Sequence, residues 1–148
     1  MLLRSIHIID DNETDRYLLK RLIKSANLTD TIYESENGRE ALEFLSGYKK
    51  EIEDCPEGYP PILIFLDINM PIMGGFEFLE EFSKLDSLKE NFGSTVLTMF
   101  TSSEKEEDKE RAMSYEIVKG YMVKLPRSGD ELKEVIQQYF PDLQASAR

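Results

Sequence analysis

The sequence offers little for redox or soft-metal chemistry. Its 148 residues include one cysteine, Cys55, and one histidine, His7. A single cysteine allows no disulfide within the chain, and one Cys with one His cannot build a zinc cluster. Positive charge is also scarce: 18 Lys and Arg stand against 29 Asp and Glu, a net charge of −11. Such a surface repels nucleic-acid phosphates and anionic membranes, so no nucleic-acid or membrane partner is expected. Long apolar runs are missing, and the longest, residues 62–66, is far too short to span a bilayer. The start, Met1-Leu2-Leu3-Arg4, lacks the charged, apolar and cleavage segments of a secretion signal. A cytoplasmic location is the expectation. Repeats, low-complexity tracts and a second domain are not seen, and the length suits one domain over residues 1–148. Its core is expected over about residues 4–140, with 141–148 as a tail.

Five short apolar runs alternate with five helix-like stretches. Residues 5–9 (SIHII), 31–34, 62–66 (ILIFL), 95–100 (TVLTMF) and 117–123 read as strands. Residues 14–26 carry Leu18, Leu19, Leu22, Ile23 and Ala26 at helical spacing. Asn37-Gly38-Arg39-Glu40 has the form of a capping box and opens a second helix with Ala41, Leu42, Phe44, Leu45 and Tyr48. Residues 49–61, rich in Pro and Gly, read as a loop. A third helix starts near Gly75 and buries Phe78, Leu79, Phe82 and Leu85. Ser103-Glu104-Lys105-Glu106 is expected to cap a charged fourth helix. Ser128-Gly129-Asp130-Glu131 is expected to cap a fifth, which buries Leu132, Val135, Ile136, Tyr139 and Phe140. This alternation predicts an α/β fold of βαβ units around a parallel sheet. Ligands of such sheets sit beyond the carboxyl ends of the strands.

Polar residues collect at those ends. Asp10 and Asp11 follow the first strand, Asp67 the third, Thr101 with Ser102 and Ser103 the fourth, and Lys124 the fifth. Carboxylates brought together repel one another unless a cation lies between them. Oxygen ligands select a hard cation, and Mg2+ with waters completing its shell fits best, Mn2+ being a substitute. A metal, an ammonium and a hydroxyl around an aspartate form the surroundings that phosphoryl transfer needs.

Four motifs carry a family resemblance: Ile8-Ile9-Asp10-Asp11-Asn12, Phe65-Leu66-Asp67-Ile68-Asn69-Met70-Pro71, Phe100-Thr101-Ser102 and Gly120-Tyr121-Met122-Val123-Lys124. In that order the sequence resembles the receiver domain of two-component response regulators, the CheY-like family. The resemblance implies a flavodoxin-like (βα)5 doubly wound fold with five parallel strands in the order 2-1-3-4-5. It implies Asp67 as the phosphoacceptor and Asp10, Asp11, Asp67 and the backbone carbonyl of Asn69 as the metal site. Lys124 and Thr101 would contact the phosphoryl group, and Tyr121 would turn inward behind Thr101. The side chains of Asn69, Ser102 and Ser103 would flank the site. A histidine kinase or histidine phosphotransfer protein would be the donor. An output protein would bind the face of helix 4, strand 5 and helix 5. The pattern departs from the family at Lys124-Leu125-Pro126, where Leu125 separates Lys from Pro, and at Gly74-Gly75.

Each residue also has an ordinary reading. The Asp10-Asp11 pair can be turn residues and Asn12 a helix cap. Thr101 to Ser103 can simply start a helix. Lys124 alone reads as a solvated lysine, and Tyr121 as a half-buried strand aromatic. His7 reads as structural, on the opposite strand face from Ile6 and Ile8. Two further functions use the same residues: a relay or phosphate sink without its own output, and a magnesium-dependent aspartyl phosphatase. The phosphatase would place its nucleophile after the first strand, with a second Asp two positions on, where Asn12 stands. The expectation is a signalling phosphoacceptor that catalyses only its own phosphorylation and slow dephosphorylation.

Overall fold

The apolar runs decide the architecture, because each can be hidden only between other elements. In a computed structural model the described residues are 3–46, 58–85, 92–123 and 125–140. Tyr48, Cys55, Lys124, most of the 49–61 loop and the 141–148 tail lie outside them. Strands β1 (Ile6–Ile9), β2 (Ile32–Ser35), β3 (Leu63–Leu66), β4 (Val96–Phe100) and β5 (Val118–Met122) alternate with helices. These are α1 (Glu13–Ser25), α2 (Gly38–Ser46), α3 (Gly75–Ser83), α4 (Glu106–Met113) and α5 (Gly129–Gln137). The strands form one parallel sheet in the order β2-β1-β3-β4-β5. Ile6 pairs with both Ile32 and Leu63, so β1 lies between β2 and β3.

Alternate strand residues feed two cores. Ile6, Ile8, Leu63 and Phe65 pack with Leu19 and Ile23 of α1 and Leu132 and Ile136 of α5. Ile9, Ile64, Leu66, Leu97 and Met99 pack with Leu45 of α2, Phe78, Leu79 and Phe82 of α3, and Ala112 of α4. Each fully buried Leu, Ile or Phe contributes about 1.5–3 kcal/mol, so the sheet is a rigid platform. His7 faces the second core and is fully buried. Its Nε2 lies 2.8 Å from the Ser35 hydroxyl, and its ring meets Phe44 edge-on at 5.2 Å. Burial pushes its pKa down to about 3, so it is a neutral packing residue.

The expected strands match the observed ones to within one residue at each end, and α1 is shifted by one. Three expectations are corrected. Leu18 is 37% exposed and lies beside the buried stripe of Leu19, Ile23 and the half-buried Leu22. In the α2 cap, Asn37 Oδ1 accepts from the Glu40 amide at 2.9 Å, but the Glu40 carboxylate reaches back to the Glu36 amide instead of that of Asn37. Most importantly, α4 starts at Glu106 and not at Ser103. The Ser103 carbonyl is occupied by the Tyr121 hydroxyl at 3.1 Å, and its own hydroxyl donates to Asp108 at 2.5 Å. The hydroxyl also accepts from the Lys105 amide at 3.4 Å, a turn two residues on and not a helix cap three residues on. Ser128 does cap α5, accepting from the Glu131 amide at 3.2 Å.

The connection from β3 to α3 is tight. Gly75 donates to the Ile68 carbonyl at 2.8 Å, and a Cβ on Gly75 would collide with the Asp67 carbonyl oxygen. Before it, Met73 donates to the Pro71 carbonyl at 2.6 Å across Ile72, whose φ is +67°. That is a three-residue turn of the strained hand, here centred on a β-branched residue that is 71% exposed. Ile72→Gly should therefore stabilise the fold by about 1 kcal/mol, the relieved strain exceeding the glycine's extra chain entropy. Urea unfolding with an unchanged m-value reads this directly, and a less stable variant would refute the strain.

Candidate functional site

The sheet delivers its functional groups by hydrogen bonds that continue the ladders past their ends. The Asp10 amide donates to the Ser35 carbonyl at 3.0 Å, and the Asp67 amide to the Ile9 carbonyl at 3.0 Å. The Thr101 amide donates to the Met122 carbonyl at 3.0 Å. β1, β3 and β4 thus present Asp10, Asp67 and Thr101 at one edge. Carboxylate oxygens of Asp10, Asp11 and Asp67 all lie within 4.8 Å of one another. Asp10 is only 3% exposed, Asp67 is half-buried and Asp11 faces solvent. A cleft of about 180 Å³ beside them is lined by Asp10, Asp15, Asp67, Thr101, Val123 and Leu125, among others.

Local bonds fix the carboxylates. Asp10 Oδ1 accepts from the Asn12 amide at 2.9 Å, and Asn12 caps α1 by accepting from the Asp15 amide at 2.9 Å. Asp67 Oδ1 accepts from the Ile68 amide at 2.8 Å. That bond leaves Oδ2 as the Asp67 oxygen not engaged by it. Burial pushes the Asp10 pKa up to about 7; the Asn12 amide pulls it down, while Asp67, Asp15 and Asp11 push it further up. The Asp67 pKa is raised as well, first by burial and then by the charges of Asp11 and Asp15, against the Ile68 amide and the Thr101 hydroxyl.

A second group of bonds links Thr101 to the neighbouring elements. The Ser103 amide donates to Thr101 Oγ1 at 3.3 Å, while Ser103 itself joins Tyr121 of β5 and Asp108 of α4. Ser102 is exposed and lines the cleft. Asn69 is exposed and borders a separate depression with Ser102, Ser103, Asp108 and Arg111. Lys124 lies outside the described residues, although its neighbours Val123 and Leu125 line the cleft. The cis peptide bond among the described residues is Tyr59–Pro60, so Leu125–Pro126 is trans. Sequence reasoning missed Asp15, whose place in the first turn of α1 reads simply as a favourable charge at a helix start. It also missed Arg16, which donates to the Asp10 carbonyl at 2.7 Å.

Comparisons with known proteins agree on one family. The model of the response regulator receiver domain matches residues 6–137. The chain is 30% identical over 130 residues to the sensor histidine kinase CheAY of Helicobacter pylori, covering 88% of this chain and 14% of that protein. It is 32% identical over 133 residues to the nitrate/nitrite response regulator NarL of Escherichia coli, covering 90% of this chain and 53% of NarL. The chain therefore spans about half the length of NarL and a small part of CheAY. Among solved structures, the Mn2+-bound form of response regulator Rcp1, a protein of Synechocystis, superposes with a TM-score of 0.69 at 26% identity, over 93% of this chain and 94% of that one.

The raised Asp10 pKa makes a stability prediction with a definite sign. Above about pH 7 the carboxyl is ionised in both the folded and unfolded chain, and the folded state carries the whole cost of the buried charge. As pH falls from 7 toward 3.8 the folded protein takes up the proton first, and the cost is relieved. Asp10→Asn keeps the oxygen that accepts from Asn12. Without divalent ions it should stabilise the protein by about 1–2 kcal/mol at about pH 8, a modest value because water screens the open side of the cleft. The gain should vanish near pH 4. Thermal unfolding across that range tests it, and an Asn variant less stable at high pH would contradict the assigned cost.

Proposed function

The chain belongs to the response regulator receiver domain family, and from that membership we propose that Asp67 accepts a phosphoryl group from a phosphohistidine donor at a Mg2+ site formed by the acid cluster. The observation that carries this reading is the convergence of the Asp10, Asp11 and Asp67 carboxylates within 4.8 Å at the carboxyl edge of the sheet. Their donor set is all oxygen, which suits a hard divalent cation. The Asp10 and Asp67 pKa values are raised first by burial and then by the neighbouring carboxylates, a cost that a bound cation would offset. Asp10, Asp11, Asp67 and the Asn69 carbonyl would hold Mg2+. When bound, the ion would neutralise the cluster and stabilise charge on the phosphoryl oxygens. The Mn2+-bound form of Rcp1 supports Mn2+ as a substitute.

The chemistry asked of the protein is positioning. Asp67 Oδ2 attacks phosphorus as the P–N bond to the donor imidazole breaks, and the imidazole leaves with its electron pair. The product is an acyl phosphate, and water attack at phosphorus later restores the carboxylate. The Lys124 ammonium would pair with the phosphoryl oxygens, and the Thr101 hydroxyl would turn to donate to them. Turning that hydroxyl gives up its bond from the Ser103 amide, and Ser103 also holds Tyr121 and Asp108. Phosphorylation would thereby favour a second arrangement of α4, β5 and α5, a population shift read by an output protein. The donor partner would be a histidine kinase or a histidine phosphotransfer protein.

Incubation with acetyl phosphate and Mg2+, followed by intact-mass analysis, tests the assignment. One phosphoryl group should be added to the wild type and none to Asp67→Asn. Modification at another residue, or an unlabelled wild type, would overturn it.

A further inference from the structure

Resting on that reading of the site, we infer that Arg16 is a positioning residue for the acid cluster, setting the direction in which Asp11 leaves β1. Its side chain is 11% exposed, uncommonly buried for a charged group on the first turns of a surface helix. Its Nη1 donates to the Asp10 carbonyl at 2.7 Å, and its Nε donates to Glu34 Oε1 at 3.1 Å. The contact to Glu36 is looser, at 3.9 Å. One planar guanidinium therefore joins α1, the end of β1 and the end of β2.

Holding α1 to β2 does not require this residue. Lys20 already bridges α1 to Glu34 at 3.0 Å. What Arg16 adds is the bond to the Asp10 carbonyl. That carbonyl lies past the last ladder pair of β1, Ile9 with Ser35 and Leu66. The Asp10 carbonyl and the Asp11 amide share one rigid peptide plane. Fixing the oxygen fixes that plane, and with it the place from which the Asp11 side chain reaches the cluster. Asp11 is the exposed member of the three carboxylates, and among the described residues no hydrogen bond of its own side chain is seen, so its placement depends on its backbone. A lysine keeps the charge but lacks the fork that reaches both oxygens at once.

The test is Mn2+ binding to the unphosphorylated full chain, followed by electron paramagnetic resonance of the free ion. Three proteins are compared: wild type, Arg16→Lys and Glu34→Gln. Arg16→Lys should bind Mn2+ about 5–20-fold more weakly, with a shifted Asp11 amide resonance in the metal-free protein. Glu34→Gln removes the ion pair yet keeps an acceptor for Nε, and should bind within about twofold of wild type. Both variants should melt close to each other, which separates placement from loss of fold. At saturating Mn2+, Arg16→Lys should be labelled by acetyl phosphate at nearly the wild-type rate, because the defect lies in holding the ion. Equal affinity in wild type and Arg16→Lys, or an equal loss in Glu34→Gln, overturns the role of Arg16 alone. A wild type that binds no Mn2+ overturns the reading of the site itself.

Discussion

Three carboxylates are held closer together than they would stay in solution, and what the site can do follows from that constraint. Two of the three are fixed by backbone: Asp10 through Ser35, Asp67 through Ile9, and both through amides that bond their side chains. The ladders supplying these anchors run through β1 and β3, whose residues are all buried. A softer platform would let the charges separate and relax. Here the cost remains: burial first, and then the charges of Asp67, Asp15 and Asp11, let Asp10 hold its proton to about pH 7. A proton, a divalent cation or a covalent modification can each relieve the same crowding. The site is in this sense a store of unfavourable electrostatics, maintained by apolar packing elsewhere.

Asp67 and Thr101 follow adjacent strands, and the Thr101 hydroxyl is one of the groups that hold the Asp67 pKa down against burial. From there the bonds run through one residue. Ser103 accepts from Tyr121 at its carbonyl, donates from its amide to Thr101, and donates from its hydroxyl to Asp108. Three elements therefore share a single peptide segment with no regular structure of its own. A neutral hydrogen bond is worth about 0.5–1.5 kcal/mol net, so exchanging one or two of them is enough to shift a balanced equilibrium several-fold.

Much of this was legible in the sequence, for physical reasons. A strand covered on both faces is mostly apolar, as ILIFL is, and TVLTMF departs from this only at Thr95 and Thr98, which are both buried. Asn12 and Ser128 are caps because a short acceptor before an amphipathic run has few other uses. The acid pair, Asp67 and Thr101 stood out because the ends of parallel strands must meet. The start of α4 was not legible. Ser103 has the chemistry of a cap and its hydroxyl does accept from the Lys105 amide, but its bonds to Asp108 and Tyr121, partners set by tertiary structure, keep it in the loop before α4. Arg16 escaped notice for a similar reason: nothing in the sequence says which backbone carbonyl a helix arginine will reach.

The helices differ in how firmly they are attached, and this bears on where a signal can leave the site. α3 buries Phe78, Leu79 and Phe82, together worth roughly 5–9 kcal/mol of packing. α4 buries only Ala112, on the order of 1 kcal/mol, and its N-cap, Lys105, makes no side-chain capping bond. Arg111 of α4 rests on the ring of Phe76 at 4.2 Å, an exposed contact of about 0.5–1 kcal/mol. The bonds at Ser103 are thus comparable to the whole attachment of α4 and small beside that of α3. A rearrangement begun at Thr101 should leave α3 in place and move α4, because motion follows the element with least buried surface to lose. If phosphorylation acts as proposed, the face built from α4 and β5 would respond through its weak packing as much as through its nearness to the site.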